Sequence, residues 1–126
     1  MNQIIIKTTN APAPIGPYNQ AVKAGNFLFV SGQIAIEPAT GELKTATIQD
    51  QATQVMKNIE AILKEANYNF SDVVKTNIFL TSMNDFVAVN DIYSKYFSGN
   101  YPARETVAVA ALPKNVNVEI SVVAFR

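Results

Sequence analysis

One amphipathic helical pattern, with strand patterns on both sides of it, constrains the fold of this chain most. Between Ile48 and Ala66, apolar side chains recur at steps of three and four residues, which predicts a helix of about five turns. Thr47 and Asp50 have the spacing of a capping box at its start, and Asn67 is suited to cap its end. A helix with a single apolar face must bury that face against another layer, and the flanking strands predict that this layer is a β-sheet.

The rest of the chain predicts a second helix and several short strands. The second helix is expected over about residues 85–97, with Thr81 or Ser82 as its N-terminal cap and Gly99 at its end. This order predicts an α+β fold over residues 1–126, a single-domain mixed β-sheet with two helices packed on one face. The predicted strands cover residues 3–8, 19–23, 27–30, 73–80, 105–112 and 116–125, and the strand at 73–80 is rich in β-branched and aromatic residues.

The predicted sheet has one covered and one open face. Hydrophobic residues make up 48% of the 126 residues, which suits one domain with a substantial core. In the last strand Val118, Ile120 and Val122 alternate with polar residues, so these three are expected to face the helices. The other face, where we expect small side chains such as Thr106 and Ala108, is either solvated or a subunit interface.

Composition excludes several kinds of chemistry. The chain has no cysteine and no histidine, which rules out a disulfide, a thiolate nucleophile, a Ser-His-Asp triad and imidazole metal ligands. Any acid–base step must use Asp, Glu, Lys, Tyr or water, and a magnesium site made of carboxylates remains open. Ten basic and ten acidic residues give a net charge of zero, which offers no general attraction to nucleic acid or an anionic membrane. The apolar run at residues 4–6 is too short for a signal peptide or a membrane span, which predicts a soluble, cytoplasmic protein.

Two charged residues on predicted strands are candidates for chemistry. Glu119 lies in an otherwise apolar strand, where a carboxylate must find partners or have a raised pKa. Arg104 is the only arginine besides the last residue of the sequence, and its fork suits a carboxylate ligand in a way that lysine cannot reproduce. For Glu119 the alternatives are an exposed edge strand or a structural ion pair. For Arg104 the alternative is a structural pairing with Glu105 or Glu119.

Other polar residues lie near the ends of predicted elements. Residues 10–17 contain three prolines and predict a long loop, after which Tyr18 is either a hydroxyl donor or a packed anchor. Ser31 precedes Gly32 at a strand end and, without a histidine partner, suits a hydrogen-bond donor or turn former better than a nucleophile. Asn90 on the second helix is either a site residue or merely exposed.

A set of motifs in collinear order covers nearly the whole chain. The motifs are residues 15–21 (IGPYNQA), 29–34 (FVSGQI), 74–80 (VKTNIFL), 86–90 (FVAVN), 101–104 (YPAR), 112–113 (LP) and 118–120 (VEI). Together they resemble the signatures of the Rid (YjgF-type) family, and the resemblance is greatest to its RidA-like reactive-intermediate deaminases.

The resemblance implies a fold, an assembly and a reaction. The fold is chorismate-mutase-like, and the assembly is a homotrimer with active sites in clefts between subunits. The reaction is the hydrolysis of small enamine and imine acids (2-aminoacrylate, 2-iminopropanoate and 2-iminobutanoate) to 2-keto acids and ammonia. Such intermediates escape from pyridoxal-phosphate-dependent dehydratases, which implies a functional link to those enzymes. No metal or organic cofactor is implied, and neither nucleic acid nor a membrane is an expected partner.

The resemblance also implies roles for individual residues. Arg104 would clamp the substrate carboxylate, and Glu119 would hold and activate the attacking water. Thr106 stands where relatives often carry Cys, and Glu105 and residues 98–100 also depart from the family pattern, at the pocket rim. The implied substrate-binding residues are Tyr18, Ser31, Gly32, Asn90, Arg104 and Thr106.

Two other functions remain open. A trimeric small-molecule-binding regulator would use the same cleft without catalysis. It would need Arg104, whereas only catalysis needs Glu119. RNA cleavage has little support from a chain with zero net charge and no histidine.

Overall fold

The computed structural model describes residues 3–126 of the chain. It contains a mixed β-sheet with two α-helices on one face, so the predicted α+β class is confirmed. The elements are β1 (Gln3–Ile6), β2 (Ala21–Ala24), β3 (Phe27–Gln33), α1 (Ile48–Glu65), β4 (Val73–Leu80), α2 (Phe86–Ser94), β5 (Ala103–Ala108) and β6 (Val118–Phe125). The six strands lie in the order β1-β2-β3-β6-β4-β5. Within the described residues, no helix is both long and apolar enough to cross a membrane.

Helix α1 forms where its periodicity predicts it. Thr47 Oγ1 accepts a hydrogen bond from the backbone N–H of Asp50 at 3.0 Å, which confirms the predicted N-terminal cap. Asn67 follows the helix with a φ of 63°, the left-handed conformation expected just beyond a helix end. The apolar face of α1, which includes Met56 and Ile59, is fully buried against the sheet.

Helix α2 is shorter than the sequence predicts. Ser82 caps a single 3₁₀ turn that leads into α2, and the helix ends at Ser94 rather than at Phe97. Beyond Ser94 the backbone tightens, because the N–H groups of Tyr96 and Phe97 donate to carbonyls three residues back. The rings of Phe97 and Tyr93 pack 4.8 Å apart, so aromatic contacts replace the last predicted helical turn.

The bounds predicted for the strand at residues 105–112 are wrong at both ends. Strand β5 runs from Ala103 to Ala108 and lies at the sheet edge, parallel to β4. Its neighbour β4 ends at Leu80, and beyond Ala108 the pairing is extended by the bond from the Val109 N–H to the Leu80 carbonyl, at 2.7 Å. Strand β6 inserts between β3 and β4, so the link from β5 to β6 spans the end of β4 instead of forming a hairpin.

The covered face of the sheet confirms the alternation predicted for the last strand. Val118, Ile120 and Val122 are buried, in register with buried residues of β4 such as Ile78 and Leu80. Both helices pack over this side of the sheet. The side chains that alternate with this set in β6 therefore point to the open face.

The open face is more apolar than the sequence predicts. Phe27, Phe29 and Phe125 are between 42% and 48% exposed and cluster together, with the Phe27 and Phe125 ring centroids 4.9 Å apart. The expected small residues Thr106 and Ala108 instead lie in register with buried residues of β4, on the covered side. An exposed aromatic cluster of this kind is typical of a surface that another molecule covers.

Candidate active site

The first candidate pocket lies where β3 ends and β6 begins, beside the proline-rich loop. It has a volume of about 330 Å³. Four of the predicted site residues line it together: Tyr18, Ser31, Gly32 and Glu119. The rest of the wall is mostly apolar and includes Ile34. The pocket therefore suits a small molecule with a polar end and a short apolar end.

A bulge in β3 shapes the backbone at this pocket. The pairing with β6 shifts in register between Val30 and Gln33. Within the bulge, the Ser31 N–H donates to the Gln20 carbonyl at 2.9 Å, and Ser31 Oγ donates to the Asn19 carbonyl at 2.6 Å. The Ser31 hydroxyl is therefore a hydrogen-bond donor that holds the bulge, in agreement with its interpretation from the sequence.

The Glu119 side chain lies directly against the backbone of Gly32. A Cβ atom at Gly32 would lie 2.1 Å from Glu119 Oε1 and 2.8 Å from Cδ, which is closer than side chains approach in folded proteins. Only glycine leaves room for the carboxylate in this position. Nothing in the spacing of the two residues along the sequence indicates this contact, and sequence reasoning missed it.

The Glu119 carboxylate is half-buried, and no cation among residues 3–126 forms an ion pair with it. Burial desolvates the carboxyl and so raises the pKa of Glu119 above its ordinary value of 4.5. In the described part of the chain the ion pairs are Lys44–Glu37 and Lys75–Glu105. Glu119 therefore belongs to no structural ion pair, and its strand is internal rather than an exposed edge. A carboxylate with a raised pKa is a stronger base toward water than an exposed one.

Gln20 fixes the loop that carries Tyr18, and sequence reasoning missed this residue. The Gln20 side chain is buried, accepts a hydrogen bond from the Thr8 N–H at 2.8 Å, and donates to the carbonyls of Thr8 and Pro12 at 3.0 and 2.9 Å. The Tyr18 hydroxyl accepts a hydrogen bond from the Ile15 N–H at 3.2 Å, which closes the loop on itself. The sequence did contain a signal for this role. The prolines of the loop at residues 10–17 leave backbone groups without regular partners, and Gln20 lies three residues after that loop.

A second depression, of about 290 Å³, contains Arg104 and Asn90. The Arg104 guanidinium carbon lies 5.7 Å from the ring centroid of Phe86 and 5.2 Å from that of Tyr93. The alternative pairing of Arg104 with Glu105 is wrong, because Glu105 forms its ion pair with a lysine at 3.0 Å. In the described part of the chain, Arg104 therefore has aromatic faces beside it and no carboxylate.

Arg104 and Glu119 lie on opposite faces of the sheet. Arg104 is in register with Thr76, which is buried on the covered side, whereas Glu119 is in register with Phe79. Thr76 and Phe79 are three positions apart on β4, so their side chains point in opposite directions. The two charged residues are also separated by about 10 Å along the strands and about 10 Å across them. One small acid cannot touch both groups within a single chain, and their direct pairing is excluded.

Thr106 lies on the same face as Arg104, two residues further along β5. Its hydroxyl is buried and has no hydrogen-bond partner among the described residues. The predicted site residues thus form two groups. The first is Tyr18, Ser31, Gly32 and Glu119 at the pocket, and the second is Asn90, Arg104 and Thr106 on the covered side.

The composition left a magnesium site open, but the structure offers no candidate for it in the part that it describes. Among residues 3–126, no group of three or more His, Cys, Asp or Glu side chains is arranged to hold a metal ion.

Comparisons with known proteins find similarity over nearly the whole chain. A family model, Ribonuc_L-PSP, described as endoribonuclease L-PSP, matches residues 8–126. The chain is 52% identical over 122 residues to a RutC family protein of Pyrococcus horikoshii, covering 97% of each sequence. It is 47% identical over 122 residues to the 2-iminobutanoate/2-iminopropanoate deaminase of Mus musculus, covering 97% of this chain and 90% of the relative. The crystal structure of E. coli TdcF with bound serine matches with a TM-score of 0.94 at 43% identity, covering 98% of each chain.

Proposed function

Because this chain belongs to the Ribonuc_L-PSP (Rid/YjgF) family, we propose that it hydrolyses small enamine and imine acids to 2-keto acids and ammonia. The substrates are 2-aminoacrylate, its tautomer 2-iminopropanoate, and 2-iminobutanoate. The observation that carries the proposal is the lone Glu119 carboxylate, desolvated against Gly32 in a pocket with mostly apolar walls. Relatives that are named imine deaminases support the same reaction class.

Arg104 supplies the anchor for the substrate carboxylate in this proposal. Its guanidinium presents two parallel N–H donors, which match the two oxygens of a carboxylate. No acidic side chain within the described residues forms an ion pair with it, so a ligand does not have to displace a resident carboxylate. Asn90 and Thr106 lie on the same side and supply further polar groups.

Glu119 supplies the acid–base group. It accepts a proton from water as the water oxygen bonds to the imine carbon, and the electron pair of the C=N bond moves to nitrogen. Glu119 returns this proton to the nitrogen, which gives the carbinolamine. Glu119 then takes the proton of the carbinolamine hydroxyl as the C=O bond forms and passes it to the nitrogen, and the C–N bond breaks with its electron pair leaving on ammonia. Glu119 ends the cycle ionised, and the raised pKa of this carboxyl suits it both to take and to return a proton. No oxidant or reductant takes part, so the reaction needs no redox cofactor.

The assembly we propose is a homotrimer with each active site between subunits. Arg104 and Glu119 point to opposite faces of one sheet, so a site that uses both requires two copies of the chain. The exposed cluster of Phe27, Phe29 and Phe125 gives such an assembly an apolar surface to bury. We propose that pyridoxal-phosphate-dependent dehydratases supply the substrate, because their chemistry releases enamines of 2-amino acids.

A ligand-binding regulator is the second candidate, and one observation favours it. TdcF, which is similar to this chain over 98% of its length, has a crystal structure with bound serine. A regulator of that kind needs the Arg104 anchor but not the Glu119 base. RNA cleavage, which the description of the family model names, fits less well with a chain that has zero net charge and no histidine.

The decisive experiment is a competition for 2-aminoacrylate. A pyridoxal-phosphate-dependent dehydratase generates the enamine from serine, and semicarbazide traps the imine that forms from it. Wild-type protein should divert the intermediate from the trap to pyruvate, and Arg104→Ala should not. If the folded wild-type protein diverts none, imine hydrolysis is the wrong function and the regulator becomes the better account.

A further inference from the structure

We propose that Tyr93 and Phe86 are positioning residues that hold the Arg104 guanidinium ready for a ligand carboxylate. The inference rests on the proposed function, because it takes Arg104 as the carboxylate anchor. Both aromatic residues belong to α2, and their ring centroids lie 5.2 Å and 5.7 Å from the guanidinium carbon. Both distances are within the range of cation–π attraction.

A buried hydrogen bond fixes the orientation of the Tyr93 ring. Tyr93 is 3% exposed and Thr76 is fully buried, and Tyr93 Oη donates to Thr76 Oγ1 at 2.9 Å. Burial raises the pKa of the Tyr93 hydroxyl above its ordinary value of 10, so it remains a donor at neutral pH. Thr76 is also the residue of β4 in register with Arg104. Thr76 therefore contacts the Tyr93 ring through its hydroxyl and also lies beside Arg104 in the sheet.

The Tyr93 ring is also packed from behind by other aromatic residues. Its centroid lies 4.8 Å from that of Phe97, and the Phe97 ring lies 5.3 Å from that of Phe70, which belongs to the buried core. Reorienting the ring beside Arg104 would therefore break these packing contacts. A ring packed in this way limits the directions that the guanidinium can take.

Aromatic contacts suit a carboxylate anchor better than an acidic partner would. An acidic partner would occupy the N–H donors of Arg104 and cancel its charge, and a ligand would have to displace it. An aromatic face attracts the cation without accepting the in-plane N–H bonds, so those donors stay available. The structure thus orders the cation in advance, which lowers the entropy cost of ligand binding.

The test measures the affinity of the full-length protein for 2-oxobutanoate, a product with the same carboxylate. Tyr93→Leu removes the ring and should weaken binding about tenfold. Tyr93→Phe keeps the ring but loses the bond to Thr76, and should weaken binding about threefold. In the imine-hydrolysis assay both variants should raise KM by the same factors while kcat changes less than about twofold.

Two further variants keep the test informative. Tyr96→Leu is the matched control, because the Tyr96 ring packs 5.3 Å from Phe70 in the same aromatic cluster without a cation–π contact to Arg104. It should bind 2-oxobutanoate as the wild type does. Phe86→Leu changes the less buried of the two rings, and should weaken binding about threefold even if Tyr93→Leu fails to fold.

Two results would overturn the inference, and they differ in what else they affect. Wild-type affinity in folded Tyr93→Leu or Phe86→Leu protein would show that the rings do not position Arg104, while imine hydrolysis by the wild-type protein would still stand. Wild-type affinity in Arg104→Ala protein would remove the anchor itself, and with it both this inference and the proposed binding mode.

Discussion

The Glu119 pocket and the Arg104 depression hold their charges by different means. Glu119 is accommodated by the backbone, since the missing side chain of Gly32 makes room for it and burial raises the pKa of the carboxyl. Arg104 is held by side chains, the two aromatic faces of Phe86 and Tyr93. The anion is therefore desolvated and the cation is ordered, and within the described residues neither has a charged partner. Charged groups that are partly buried without a charged partner are typical of ligand-binding and catalytic sites.

The largest expected effect comes from removing the Arg104 guanidinium. Arg104→Ala should lower kcat/KM about a hundredfold to ten-thousandfold, because two charge-assisted hydrogen bonds of about 1.5–3 kcal/mol each are lost. Arg104→Lys keeps the positive charge but loses the two parallel N–H donors of the guanidinium, and should retain only a small part of the wild-type activity. The trapping assay measures both variants, with the oligomeric state checked in parallel. Full activity in Arg104→Ala protein would contradict the role of this residue as the anchor.

Removing the Glu119 carboxylate should affect kcat rather than ligand affinity. Glu119→Gln should lower kcat about a hundredfold to ten-thousandfold, the usual contribution of an acid–base group. Its affinity for 2-oxobutanoate should stay within about twofold of the wild type, because Arg104 is intact. Single-turnover hydrolysis and calorimetry separate the two effects. An unchanged single-turnover rate would make Glu119 a structural residue.

A smaller effect should follow from displacing the carboxylate without removing it. The Cβ of Gly32→Ala would collide with Glu119, so kcat should fall about tenfold to a hundredfold as the base moves by about 1 Å. Thermal unfolding supplies the control, because the colliding atoms belong to a flexible side chain, and any stability lost in Gly32→Ala should be largely restored when Glu119→Ala is added. Equal losses in both backgrounds would mean that the collision is not the cause.

The smallest expected effect is on the pH dependence of stability. The pKa of Glu119 is raised in the folded chain, so between its ordinary value of 4.5 and the raised value the folded state binds more protons than the unfolded state. Stability of the wild type should therefore fall as pH rises through that window. Glu119→Gln lacks this loss, so its Tm should match the wild type below about pH 4 and exceed it at pH 7. A wild type that is the more stable at pH 7 would indicate a cation close to the carboxylate.

Local structure was predictable where one periodicity dominates. The cap of α1 at Thr47 and its bounds, to within one residue, follow from spacing, and the bounds of β4 follow from its β-branched and aromatic residues. The alternation in the last strand also predicts correctly that Glu119 points away from Ile120 and its buried neighbours. The end of α2 was not predictable in this way, because packing of Phe97 competes with the helical pattern.

The arrangement of the candidate site depends on long-range pairing that no local pattern contains. The parallel register of β5 with β4 places Arg104 on the covered face, and the sequence did not indicate which face it would occupy. The contact between Gly32 and Glu119 arises because β6 inserts beside β3. The sequence itself singled out both charged residues, and the resemblance to a family implied their roles, but their separation onto opposite faces is visible only in the structure.

The central claim is that Arg104 and Glu119 act together from different subunits. The most direct test mixes Arg104→Ala and Glu119→Gln chains, each nearly inactive alone, by co-expression or by joint refolding. With random assembly into a closed ring, about a quarter of the sites combine an intact Arg104 with an intact Glu119, so we predict about a quarter of wild-type activity. Activity no greater than the sum of the two separate variants would contradict the claim.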